Sequence, residues 1–336
     1  MIKKIKQFTL LVICIVTAQI SLGQTKIIFD TDFGGDADDL GALAMLHHFK
    51  NQGECDLLAI MLWSTEKWVV PAVNAVNIFY KNPHIPIGIR NKEQPEDEQW
   101  RYNKPLAKTL PYELTNKDVP LAVDLYRKIL SAQEDKSVTI VTVGPLKNIQ
   151  NLLFSPPDAI SDLTGKELLK AKVKEMVIMG GEFPEGEWEW NFFGDMPGVT
   201  KFVLEKLPVP VVFSGYEIGV QIKTGPEFHN LSNNHPLYVA YKHFSEHAPW
   251  MKEYYTEGKI TPNSTYDQTA VLYAVRNGLG KYWTKEENGY CLPDKKGGNV
   301  WVEVSQDVET KHAYLVLKKD PKKMEEIITN LMIGDF

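Results

Sequence analysis

Ten consecutive residues, Asp30-Thr31-Asp32-Phe33-Gly34-Gly35-Asp36-Ala37-Asp38-Asp39, hold five carboxylates and two glycines. Acids crowded this closely repel one another unless a cation offsets them. Oxygen-only ligands, with glycines that let the backbone turn sharply, favour a hard cation, Ca²⁺ or Mg²⁺, over zinc, and Ca²⁺ is the better choice. The competing reading is a solvated acidic loop capping the helix that follows, because Asp is favoured at helix N-termini. Against it, an apolar strand leads into the loop and an apolar helix (Leu40, Leu43, Ala44, Met45, Leu46) leads out, which buries both ends.

The elements that must position such a loop are legible in the hydrophobic pattern. Nearly unbroken apolar runs at 26–29, 57–62, 138–143, 173–179 and 209–213 read as strands covered on both faces. Helical patterns fall between them at 37–49, 69–80, 121–133, 146–153 and 197–205. This alternation predicts an α/β fold, a mostly parallel, Rossmann-like central sheet flanked by helices, in one domain over 24–336. The longest irregular stretch is 91–116. After Thr224 the strand signal fades, leaving helices near 237–253 and 267–276 and a hairpin with a terminal helix over 299–331. In open parallel sheets ligands gather beyond the carboxyl ends of the strands, which is where the acidic loop sits.

Three later segments stand in positions of the same kind. Val143 ends a strand at Thr142-Val143-Gly144-Pro145-Leu146-Lys147-Asn148; Val177-Ile178-Met179-Gly180-Gly181 is followed by Glu189-Trp190-Asn191-Phe192 and Asp195; Tyr266-Asp267 opens a helix. Together with the acidic loop these segments resemble, in order, the inosine-uridine nucleoside hydrolase family, whose opening pattern is Asp-x-Asp-Pro-Gly-x-Asp-Asp. Here Phe33 replaces the proline, and two extra residues precede Asp38-Asp39, as in a family branch with a longer loop. The resemblance runs from about Lys26 to about Arg276.

The resemblance implies an N-glycosyl hydrolase acting on a small-molecule ribosyl substrate. It implies calcium held by Asp32, Asp39, Asp267 and the Val143 carbonyl. Asp32 is then the catalytic base that accepts the proton of the attacking water. Asp38, Glu189, Asn191 and Asp267 meet sugar hydroxyls, Tyr266 faces the substrate, and Asp30 and Asp36 support the loop. Two departures bear on the chemistry. Tyr266 stands where many relatives have a histidine that protonates the leaving base, and the family's Gly-Asn after the second strand is replaced by Trp63-Ser64-Thr65-Glu66-Lys67-Trp68, in which Ser64, Thr65 or Glu66 is a candidate substitute. These departures motivate a second reading, a calcium-dependent nucleoside- or sugar-binding protein without turnover, and leave open a hydrolase of another ribosyl compound.

Other motifs compete less well. His243-Phe244-Ser245-Glu246-His247 fits a zinc-peptidase pattern but has no third ligand in a comparable setting. An aspartate-nucleophile phosphatase would need cationic groups at later strand ends, and an acidic pocket repels phosphate. No nucleophile elbow, P-loop or dinucleotide fingerprint occurs.

The chain has 336 residues, 43% hydrophobic and 24% charged, with 37 basic against 43 acidic residues and a formal charge of −6, so disorder and a nucleic-acid surface are both excluded as readings. Residues 1–23 run from Lys3, Lys4 and Lys6 into an apolar stretch and then small residues. This is a signal-peptide pattern cut after Gly23, predicting an exported, periplasmic or extracellular protein with no membrane contact after cleavage. Cys55 and Cys291 then remain, either as one disulfide or as two buried thiols. The family's dimers and tetramers imply a prior for a homo-oligomer.

Overall fold

The computed structural model describes residues 24–93, 98–305 and 311–334. The expected signal peptide at 1–23 lies outside the described residues.

Eight strands form the central sheet. Five are labelled here in chain order: β1 (Thr25–Thr31), β2 (Cys55–Leu62), β3 (Ile87–Ile89), β4 (Val138–Thr142) and β5 (Val173–Met179). From one edge the order is Trp283–Glu286, His312–Leu317, Val211–Ser214, β5, β4, β1, β2, β3. Every pairing is parallel except that of the edge strand Trp283–Glu286 with His312–Leu317. The order places β1, which leads into the acidic loop, directly between β2 and β4.

Alternation along each strand feeds two cores, as a sheet covered on both faces requires. Ile27 and Phe29 of β1, Val141 of β4 and Val177 of β5 join one cluster with the helices α1 (Asp38–Asn51), Val69–Phe79 and Tyr266–Arg276. Ile28, Ile140, Met176 and Ile178 point the other way, against Ala122–Ser131, Lys147–Phe154 and Gly165–Lys172.

The five expected strands are found as β1, β2, β4, β5 and Val211–Ser214, and they and the helices between them lie within a few residues of the expected segments, whereas β3 was not expected. Three features differ. The irregular stretch contains the helix Asn103–Thr109, which packs against Val69–Phe79. The late hairpin pairs Asn299–Glu303 with Gly289–Pro293 rather than with the following strand. That following strand, His312–Leu317, instead joins the main sheet parallel to Val211–Ser214, about a hundred residues away in sequence. Cys55 and Cys291 are both buried free thiols, which decides between the two alternatives.

Candidate active site and metal centre

β1 and β4 run parallel, so their carboxyl ends open at the same edge of the sheet. The Val143 N–H donates to the Asp30 carbonyl at 2.8 Å, stitching the two ends together. Two glycines permit the close packing there. Gly34 has φ +112°, and a Cβ on it would overlap the Asn103 side chain, whose Nδ2 donates to the Phe33 carbonyl at 3.2 Å. A Cβ on Gly144 would lie 2.8 Å from the Asp32 backbone nitrogen, so only glycine lets the end of β4 approach the loop this closely.

The loop folds back on its own carboxylates. Asp38 Oδ1 accepts the Asp39 N–H at 3.0 Å, and Asp38 Oδ2 accepts the Asp267 N–H at 3.3 Å, so one side chain joins the first turns of α1 and of the helix Tyr266–Arg276. Asp39 accepts from the Thr31 hydroxyl. Asp36 accepts from Asn263 and from the Asp38 N–H. Asp38, Asp39 and Asp267 are buried, and each offers a carboxylate oxygen within 4.8 Å of the others. Burial, and then the neighbouring carboxylates, holds all three well above the usual carboxylate range. Burial also raises Asp32, and raises Asp36 to about 6. A buried, all-oxygen, mutually repelling set of this kind fits a hard divalent cation, with two helix N-termini directed at it.

Asp32, Asp36, Asp38, Asp39, Val143, Glu189, Asn191, Tyr266 and Asp267 all line one cavity of about 990 Å³. Asp32 lies outside the close triad and is held differently, accepting the Trp190 indole Nε1–H at 3.0 Å. The Val143 carbonyl faces the same space and accepts Asn191 Nδ2–H at 3.1 Å. Asn191 is fixed in turn by donation to the Met179 carbonyl at 3.2 Å. Glu189 N-caps the short helix Trp190–Phe193, its two oxygens accepting backbone N–H groups of Asn191, Phe192 and Gly181 at 2.9 to 3.0 Å. Burial nevertheless raises its carboxyl to about 7.

Asp30 stands behind the cavity. It accepts from Tyr126 at 2.8 Å and Asn148 at 3.0 Å and is raised by burial to about 7.

Several candidates from the sequence do not reach the cavity. Ser64, Thr65 and Glu66 are buried away from it. Glu66 accepts the Trp68 N–H at 2.8 Å and Asn116 takes the Thr65 and Glu66 carbonyls, so Trp63 is the only residue of that stretch in the lining. His243 and His247 stack on each other at 4.1 Å, and their ring nitrogens contact the Gln99 and His243 carbonyls. Among the described residues they belong to no metal-competent group of three. His47 is buried, bonded to Asn77 at 3.0 Å and Asn82 at 3.2 Å, and among the described residues no histidine lines the cavity. Sequence reasoning missed Trp100, Arg101, Tyr216 and Trp250, which form the mouth with Trp188.

A sequence model described as inosine-uridine preferring nucleoside hydrolase matches residues 27–331. The chain belongs to this family. Pyrimidine-specific ribonucleoside hydrolase RihA of Klebsiella pneumoniae subsp. pneumoniae is 34% identical over 101 residues, 29% of this chain and 28% of that protein. RihA of Escherichia coli O1:K1 / APEC is 35% identical over a stretch of the same length. The match thus spans less than a third of these curated relatives. The fold of this nucleoside hydrolase family member is shared with solved structures along most of the chain. A plant nucleoside hydrolase, PpNRh1, superposes with TM-score 0.65 at 18% identity, covering 92% of this chain and 98% of that one. An inosine-guanosine nucleoside hydrolase gives TM-score 0.64 at 16% identity, covering 93% and 99%. The type III effector XopQ, solved with adenosine diphosphate ribose, gives 0.63 at 13%, covering 92% of each.

Proposed function

We propose that this protein hydrolyses the N-glycosidic bond of ribonucleosides to free base and ribose. The observation that carries the reading is the cavity itself: a floor of buried carboxylates able to hold a cation, with the half-buried carboxylate of Asp32 beside it. Asp32, Asp39, Asp267 and the Val143 carbonyl are the proposed calcium ligands. Calcium bound there would coordinate sugar hydroxyls and a water and make that water more acidic.

The chain's own groups account for the remaining steps. Asp32 accepts the proton of the attacking water, and the Trp190 N–H on its Oδ2 leaves Oδ1 for that task. Asp38 and Asn191 meet sugar hydroxyls, with Glu189 holding the turn that carries Asn191 through its backbone bonds. The transition state is an oxocarbenium-like sugar, which surrounding carboxylates favour over the neutral ground state. Trp63, Trp188, Trp190 and Trp250 wall the space beyond the sugar and exclude water from it.

A second reading, hydrolysis of another ribosyl compound, draws on the size of the cavity and on XopQ, a fold relative solved with adenosine diphosphate ribose. The proposal includes export directed by residues 1–23; among the described residues no helix is long and apolar enough to cross a membrane. The test is release of base or reducing sugar from purine and pyrimidine ribonucleosides with calcium and with a chelator. Calcium-dependent release supports nucleoside hydrolysis. Binding of sugar without any release supports the non-catalytic alternative.

A further inference from the structure

Among the described residues lining the cavity, Arg101 is the only Lys, Arg or His, against nine carboxylates. Its position is built. Nε donates to Glu98 Oε2 at 2.6 Å, and the guanidinium lies 4.8 Å over the Trp100 ring. Trp100 is itself wedged edge-on against Trp250 at 5.0 Å. Nη1 lies 3.8 Å from where a Cβ on Gly35 would sit, so the planar group leans over the acidic loop at the rim. Its charge is felt at both Asp32 and Asp39. Glu98, half-exposed in water, orients Arg101 without cancelling it, since exposed pairs are weakly coupled.

The sugar hydroxyls belong on the carboxylate floor, so the aglycone must project toward the mouth, where Arg101 and the tryptophans are. No histidine is there to protonate it. Arginine does not give up its proton at ordinary pH but binds anions through a rigid fork of N–H donors.

We infer that Arg101 stabilises the aglycone as it departs with negative charge, standing in for a protonating residue and selecting aglycones whose charge spreads onto an acceptor atom. This rests on the hydrolase reading. In the step, the C1′–N bond breaks with its electron pair going to the base nitrogen. The water oxygen bonds to C1′, the water's proton passes to Asp32, and the base anion held by Arg101 takes a proton from solvent.

The test compares the full chain with Arg101→Met and Arg101→Lys, both checked by thermal melting, on uridine and on 4-nitrophenyl riboside, whose leaving group is already a good anion. Arg101→Met lowers kcat/KM for uridine about 100-fold and for the nitrophenyl riboside less than about 5-fold, and Arg101→Lys recovers part of the loss. Equal loss on both substrates, or loss on neither, overturns the inference. So does a wild-type preference for uridine 5′-monophosphate that disappears in Arg101→Met, which would make Arg101 a phosphate contact. Binding separates this inference from the hydrolase reading. Tryptophan quenching by 4-nitrophenolate, set against its neutral methyl ether, shows a preference for the anion that Arg101→Met abolishes. If the protein cleaves neither substrate the hydrolase reading falls, while absence of the anion preference sinks the role of Arg101 whatever the turnover.

Discussion

The indole Nε1 of Trp190 donates to Oδ2 of Asp32 at 3.0 Å, joining the first residue of the short helix Trp190–Phe193 to the residue after β1. The bond occupies one carboxylate oxygen of Asp32, while Oδ1 packs close to Gly144 at the end of β4.

The first prediction concerns this bond. Trp190→Phe keeps an aromatic wall and removes the donor. A hydrogen bond to a charged group contributes about 1.5 to 3 kcal/mol, so kcat falls at least about tenfold while KM for the nucleoside changes little. Steady-state kinetics separate the two parameters. A rise in KM with unchanged kcat would mean that Trp190 binds the base rather than orienting Asp32.

The second concerns the carbonyl of Val143. Asn191 Nδ2 holds it at 3.1 Å and the Met179 carbonyl at 3.2 Å, so Asn191→Ala leaves both to relax. Calcium affinity measured by titration calorimetry then weakens about tenfold, the equivalent of one misplaced ligand. Unchanged affinity would remove the Val143 carbonyl from the ligand set.

If the acidic cluster holds the proposed calcium, thermal stability depends jointly on pH and calcium. The native carboxyls of Asp38, Asp39 and Asp267 are raised above their unfolded values. Without a cation they therefore stabilise the fold at low pH, and that contribution is lost as pH rises through their folded values. Calcium replaces the protons. Its effect on Tm is largest at neutral pH, about 5 °C at a hundredfold excess over Kd, and vanishes near pH 4. Differential scanning with and without calcium across pH checks this. A calcium shift independent of pH would place the ion elsewhere.

His47 gives the opposite slope. Burial lowers its pKa from 6.5 to about 3, while Asn77 and Asn82 bind the neutral ring and Tyr80 stacks on it at 5.0 Å. The unfolded chain takes the proton first, so stability falls as pH drops below about 6.5 toward the folded value, by about 5 kcal/mol in all. His47→Leu is less stable at neutral pH but loses this slope. The difference between the two proteins in urea denaturation, followed from neutral pH downward, isolates it from the carboxylates. Parallel curves would show that His47 titrates normally.

Much of the floor was legible because its residues are contiguous. Five aspartates in ten residues after an apolar run announce a cation site, and Asp267 could be added from the family pattern at the head of a helix. β1, β2, β4, β5 and Val211–Ser214 were equally plain, being short apolar runs separated by helix-length segments, whereas the three-residue β3 was too short to stand out. The mouth was not legible. Arg101 lies inside the irregular stretch 91–116, and the packing of Asn103–Thr109 against Pro236–His247 brings Trp100 and Trp250 together over the loop. Nor could the pattern show that Ser64, Thr65 and Glu66 turn inward, because that depends on Asn116, fifty residues away, capping their carbonyls. His312–Leu317 read as part of a hairpin because its true partner, Val211–Ser214, is distant in sequence.

The most direct test of the central claim is base release from a panel of purine and pyrimidine ribonucleosides by the wild-type protein and by Asp32→Ala, each with calcium and with a chelator. The account predicts calcium-dependent release by the wild type and a loss of at least about a thousandfold in Asp32→Ala, in the range seen when a general base is removed from a preorganised site. Release that survives in Asp32→Ala, or that is indifferent to the chelator, would contradict it.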